Sequence, residues 1–73
     1  MLLSGTIRDN LTFIHPDVTE EEIQNAIHIS CADKFIQELP QGIDTVIGEK
    51  GLGLSEGQIQ RLAIARSMLS ESP

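Results

Sequence analysis

Apolar positions fall into helical spacing in three stretches of the chain. Ile23, Ala26, Ile27 and Cys31 recur at three- and four-residue intervals, the repeat of one helix face. Thr19 reads as the N-cap of that helix, with Glu22 placed to close a capping box. The acids Glu20, Glu21 and Glu22 then sit at the positive end of its dipole. Ala32, Phe35, Ile36 and Leu39 fall at i, i+3, i+4 and i+7, which predicts a second amphipathic helix. Ser30 to Asp33 reads as its box-like start, and Pro40 and Gly42 stop it. Cys31, between the two stripes, is expected as a small, half-buried helix residue. The third stretch holds Ile59, Leu62, Ala63, Ala65, Met68 and Leu69, with no proline before Pro73. Its apolar and small residues occupy more than one face, which predicts packing between two bodies, only one of them in this chain.

The remaining segments are shorter in pattern. A turn of helix is expected through Thr6 to Leu11, with Ser4 as its cap and Ile7, Leu11 and Ile14 on one side. Pro16 ends it, because the residue before a proline is pushed away from helical angles. From Asp44 to Gly53 the chain turns extended and glycine-rich, and Thr45-Val46-Ile47 reads as a short strand. The helical pair over 19–39 is expected to meet across a tight corner. Each apolar side chain it buries stabilises by roughly 1.5–3 kcal/mol. With so few of them the sum barely offsets the ordering entropy, so the pair needs a neighbour.

Length and charge narrow the classes. Seventy-three residues make at most one small domain. Eleven acidic against five basic residues give a net charge of −6, which argues against a nucleic-acid surface. No apolar run has the length of a membrane span, and no signal-peptide pattern opens the chain. Cys31 is the single cysteine, so no internal disulfide forms, and a reducing compartment is the simpler reading. His15 and His28 have no cysteine pair beside them, and His15 reads as a loop residue rather than a metal ligand.

Candidate chemistry concentrates at Leu54-Ser55-Glu56-Gly57-Gln58. Ser55 reads as an N-cap and Gln58, three residues on, as its capping-box partner. Gly57 in the first turn lets another group approach the backbone. Free amides and the positive dipole end then face an open spot suited to a phosphate-sized anion; an ordinary capped helix is the plainer alternative. Two other phosphate patterns fail. Gly48 and Gly53 have P-loop spacing, but Leu54 stands where the lysine must be. Gly51-Leu52-Gly53 opens a dinucleotide fingerprint, but Glu56 replaces its third glycine.

Together with Gln60-Arg61 and Ala63-Ile64-Ala65-Arg66, this pentapeptide resembles the signature motif of the ATP-binding cassette family, usually written L-S-G-G-Q. Ser4-Gly5-Thr6-Ile7-Arg8-Asp9-Asn10, Leu39-Pro40-Gln41-Gly42 and Thr45-Val46-Ile47-Gly48-Glu49-Lys50-Gly51 are similar to blocks of the exporter-type cassettes, in family order from Leu3 to Pro73. Glu56 departs from the motif's first glycine.

The resemblance implies a mainly α fold: the helical subdomain of a larger α/β P-loop nucleotide-hydrolysing domain, with the helical pair over 19–39, the X-loop region over 44–54 and the signature helix over 55–71. It implies that Ser55, Glu56, Gly57 and Gln58 contact the terminal phosphate of ATP, accompanied by Mg, held by a second nucleotide-binding domain. Glu49 becomes the X-loop glutamate touching the cytoplasmic loops of transmembrane domains, on the cytoplasmic side of the cell membrane. Arg61 becomes a structural residue bridging to a carboxylate elsewhere. The family's P-loop, Q-loop, Walker B pair and switch histidine have no counterpart here, so the chain alone is expected not to hydrolyse ATP and to self-associate through unpaired apolar faces. A free-standing helical interaction module and a small anion-binding protein stay open as alternatives.

Overall fold

A computed structural model describes residues 5–48 and 53–70; Ser4, Glu49 and Pro73 lie outside them. In chain order the elements are β1 (Gly5–Thr6), α1 (Ile7–Thr12), α2 (Glu20–Ile29), α3 (Asp33–Glu38), a 3-10 turn (Gly42–Asp44), β2 (Val46–Ile47) and α4 (Glu56–Ser70). The mainly α expectation holds.

The cap of α1 is Thr6 rather than Ser4. Thr6 Oγ1 accepts from the Asp9 amide at 2.9 Å, and Asp9 Oδ2 accepts from the Thr6 amide at 3.0 Å. Gly5 has φ +128, and a Cβ there would stand 2.9 Å from that same Asp9 oxygen. A side chain at position 5 would therefore break the box as well as strain the backbone. Thr6 also pairs with Val46, and Gly5 with Ile47, in an antiparallel two-stranded ladder. The Ile7 amide donates to the Thr45 carbonyl at 3.1 Å, extending the connection into α1. Ile7 and Leu11 are buried as expected, but Ile14 is exposed, because α1 ends at Thr12 and the helical repeat no longer applies.

Arg8 ties three elements together. Its guanidinium grips both carboxylate oxygens of Glu20 on α2, at 2.6 and 3.2 Å, and reaches Asp44 of the 3-10 turn at 3.3 Å. Hydrogen bonding to Glu20 is the main reason the Arg8 pKa is raised, and the same contact lowers that of Glu20. Both carboxylates are exposed and Arg8 is half-buried, so water screens the network and it fixes geometry more than it adds stability.

The start of α2 matches the sequence: Thr19 Oγ1 accepts from the Glu22 amide, and Glu22 closes the box at 2.8 Å. Its end does not. Cys31 adopts φ 64, outside both helices, with its thiol exposed. The Cys31 amide donates to the His28 carbonyl and the Ala32 amide to that of Ile27, the paired bonds of a Schellman motif. Ala32 and Ile27, both buried, supply its apolar contact. Ser30 donates to the Ile27 carbonyl and so finishes α2 instead of starting α3, whose N-cap Ala32 makes no side-chain bond. A left-handed conformation costs a non-glycine residue about 1 kcal/mol. Cys31→Gly is accordingly expected to raise the unfolding free energy by about 0.5–1 kcal/mol in urea melts, the gain moderated by glycine's greater freedom when unfolded. An unchanged or lower midpoint would contradict this.

Phe35 and Ile36 of α3 are buried, and Leu39 is extended (ψ 137), as Pro40 requires of its predecessor. The core is gathered by α4, whose main packing is against α1 and α2. Leu62, Ala65 and Leu69 form its buried side, with Ile59 and Met68 leaning on the same cluster. The neighbour that the helical pair requires is thus α4 rather than the pair's own corner. The other side of α4 carries the exposed Ile64.

Candidate functional site

The N-terminal turn of α4 is built as its sequence indicates. Ser55 Oγ accepts from the Gln58 amide at 3.1 Å, and Gln58 Oε1 accepts from the Ser55 amide at 2.9 Å. The Ser55 carbonyl takes the Ile59 amide at 2.9 Å. This reciprocity decides what is left over. The Ser55 hydroxyl accepts inward, so its hydrogen is free to donate outward. The amides of Glu56 and Gly57, at the first two helical positions, have no acceptor within the helix. Gln58 holds the turn with its oxygen, which keeps its amide nitrogen for another partner. Three donors therefore converge at the positive end of a fifteen-residue helix.

Ser55 and Glu56 are exposed, and Gly57 and Gln58 are half-buried. The group that approaches closest over Gly57 is internal: a Cβ there would meet Arg61 Nη1 at 3.2 Å, with Ser55 Oγ 4.0 Å away. The Arg61 guanidinium thus folds back one turn to lie over the start of α4. Beside it opens a cleft of about 340 Å³, walled on the α4 side by Ser55, Gln58 and Arg61 and on the other by Lys34, Phe35 and Glu38 of α3, with Cys31 at its edge. Glu56 does not line it.

Glu49, for which the family resemblance implies a partner contact, lies outside the described residues. His28 Nδ1 meets Asp33 Oδ2 at 3.0 Å across the α2–α3 corner, and this contact lowers the Asp33 pKa. Among the described residues no three His, Cys, Asp or Glu side chains group as metal ligands. Lys34 was not among the residues that sequence reasoning singled out. On a six-residue helix, spacing tells which side is buried but not what the polar side faces.

No family model matches the chain. Individual proteins do. It is 49% identical over 67 residues, 92% of the chain, to the ABC transporter ATP-binding protein YknU of Bacillus subtilis. It is 44% identical over 72 residues, 99% of the chain, to the ATP-dependent lipid A-core flippase of Chromohalobacter salexigens. The chain spans 12% of the length of each of these relatives. A solved bacterial Atm1-family ABC exporter with ATP bound superposes with a TM-score of 0.88 at 39% identity, over 99% of this chain and 13% of the exporter chain. Fold and ordered motifs together define a helical segment of an ATP-binding cassette protein. The chain's homologues are ABC transporter ATP-binding proteins and exporters, matched from one end of the chain to the other.

Proposed function

We propose that this chain forms the helical subdomain, X-loop and signature helix of the nucleotide-binding domain of an exporter-type ABC transporter, on the cytoplasmic side of the membrane. Its signature end closes over ATP bound by the partner domain. The observation that carries this is the reciprocal Ser55–Gln58 box, which leaves the Ser55 hydroxyl and the Glu56 and Gly57 amides pointing outward as anion donors. They match the terminal phosphate of ATP in charge and in number of acceptors. In this reading the Mg that accompanies ATP is held with the nucleotide by the opposing domain's residues. Glu49 contacts the cytoplasmic loops of the transmembrane domains. The exposed Phe13, Ile14, Val46 and Ile64 meet the rest of the parent domain, and in the isolated chain they favour self-association.

In the intact transporter, Ser55→Cys is expected to cross-link to a cysteine placed in the opposing P-loop, in ATP and not in its absence. Equal cross-linking with and without nucleotide would sink the reading. Nucleotide-free capture of an unrelated amphipathic helix would instead favour a free-standing interaction module. The isolated chain is expected not to hydrolyse ATP; phosphate release above the buffer blank, abolished by a substitution within the chain, would contradict that.

A further inference from the structure

The cations of this chain are unevenly placed. Of five basic residues in a chain of net charge −6, Lys50 lies outside the described residues. Arg8 is held by Glu20 and Asp44, and Arg66 is also engaged. The two remaining side chains, Lys34 and Arg61, have no ion-pair partner among the described residues, and both line the cleft between α3 and α4. They come from different helices, so no local pattern brings them together.

We infer that Lys34 and Arg61 are phosphate-binding residues of this cleft, gripping the phosphate chain of the nucleoside triphosphate whose terminal phosphate meets Ser55. The inference rests on the reading above and extends its site by two side chains. Geometry supports Arg61 first. Its guanidinium and the Ser55 hydroxyl border one point above Gly57, at 3.2 and 4.0 Å. An oxyanion that takes the Ser55 proton is therefore near enough for Arg61 to reach, and its planar donors suit phosphate oxygens. Lys34 faces it from the α3 wall as a mobile point charge. Two like charges across a cleft repel each other when it is empty, and a polyanion between them turns that repulsion into two attractions. Phe35, largely buried in the same wall, keeps water from screening one side. Glu38 is the single acid in the lining, so the cleft stays net positive in an acidic chain. The arrangement also offsets the acid that Glu56 adds to the motif.

The test uses the intact transporter and its ATPase activity across MgATP concentrations. Lys34→Gln and Arg61→Gln are each expected to raise KM for ATP about tenfold while leaving kcat within about threefold, the size of one charge-assisted contact. Arg61→Lys should recover part of the loss. An unchanged KM with a lowered melting temperature would overturn the inference, because it would assign Arg61 to a carboxylate elsewhere in the parent domain. A second measurement does not depend on turnover. In a Cys31→Ser background, inorganic triphosphate is expected to slow alkylation of Lys34→Cys several-fold, and no protection at saturating triphosphate would count against the site. Failed ATP-dependent cross-linking at Ser55→Cys sinks the underlying reading. Intact cross-linking with unchanged KM sinks only the roles of Lys34 and Arg61.

Discussion

Leu62→Ala is expected to lower the unfolding free energy of the chain by about 3 kcal/mol, within the range for emptying a buried leucine site. Leu62 is fully buried on α4, the helix against which both α1 and α2 pack. The cavity would open where Ile7 and Leu11 from α1 and Ile23 and Ile27 from α2 join one cluster with it. Each of those side chains loses contacts, and short capped helices have little freedom to close the gap. A domain of this length has a total stability of only about 4–11 kcal/mol, so the loss removes a large share of it. Urea melts followed by circular dichroism measure the effect. Ile64→Ala is the control on the same helix: Ile64 is 53% exposed, and its truncation should cost no more than about 0.5 kcal/mol in the isolated chain. Similar losses at the two positions would mean that α4 does not gather the core.

That contrast along α4 shows what spacing alone conveys. The sequence placed apolar residues on more than one side of the helix, and only tertiary packing chooses which side this chain buries. Features set within four residues were readable beforehand: the Thr19–Glu22 and Ser55–Gln58 boxes both form, and both helices start where they indicate. The Thr6–Asp9 box is equally local, yet Ser4 was expected in its place. Asp9 is one methylene shorter than the usual glutamate or glutamine at that position and was not read as a box partner. Two-residue strands show no alternation, so pairing of Gly5–Thr6 with residues forty positions away was hidden; the β2 segment was found only by its β-branched residues. The stripe position of Cys31 continues the helix repeat and so predicts a helix residue, whereas the Schellman bonds and the burial of Ala32 turn the backbone left-handed just there. The placing of Arg61 and Lys34 on one cleft, and the contacts of Arg8 with Glu20 and Asp44, join residues from separate elements, beyond what spacing encodes.

On the proposed function, Ser55→Ala is expected to impair ATP-driven closure of the intact transporter more than tenfold, and Glu56→Gly to change it less than tenfold. The two residues are neighbours, but the structure separates their roles. Removing the Ser55 hydroxyl deletes the acceptor for the Gln58 amide, a cap whose loss costs about 0.5–2 kcal/mol, and with it the one outward hydroxyl donor of the turn. Order and chemistry are lost together. Glu56 contributes differently. Its amide is the donor at the first helical position, and glycine would supply the same amide. Its carboxylate is exposed and does not line the cleft. An acid in the first turn favours the helix by about 0.3–1 kcal/mol through the dipole. Opposing this is repulsion from the triphosphate, about 1 kcal/mol per charge pair at 4 Å in water and several times more where water is excluded. With the carboxylate in solvent the repulsion stays near its aqueous value, and the two effects nearly cancel. Closure can be followed by the ATP dependence of the Ser55-independent distance between the two domains, read by a spin or fluorescent label pair outside the site. A gain well above tenfold from Glu56→Gly would show the carboxylate turning toward the nucleotide on closure, and the site would then be one that binds ATP poorly by virtue of a single acid.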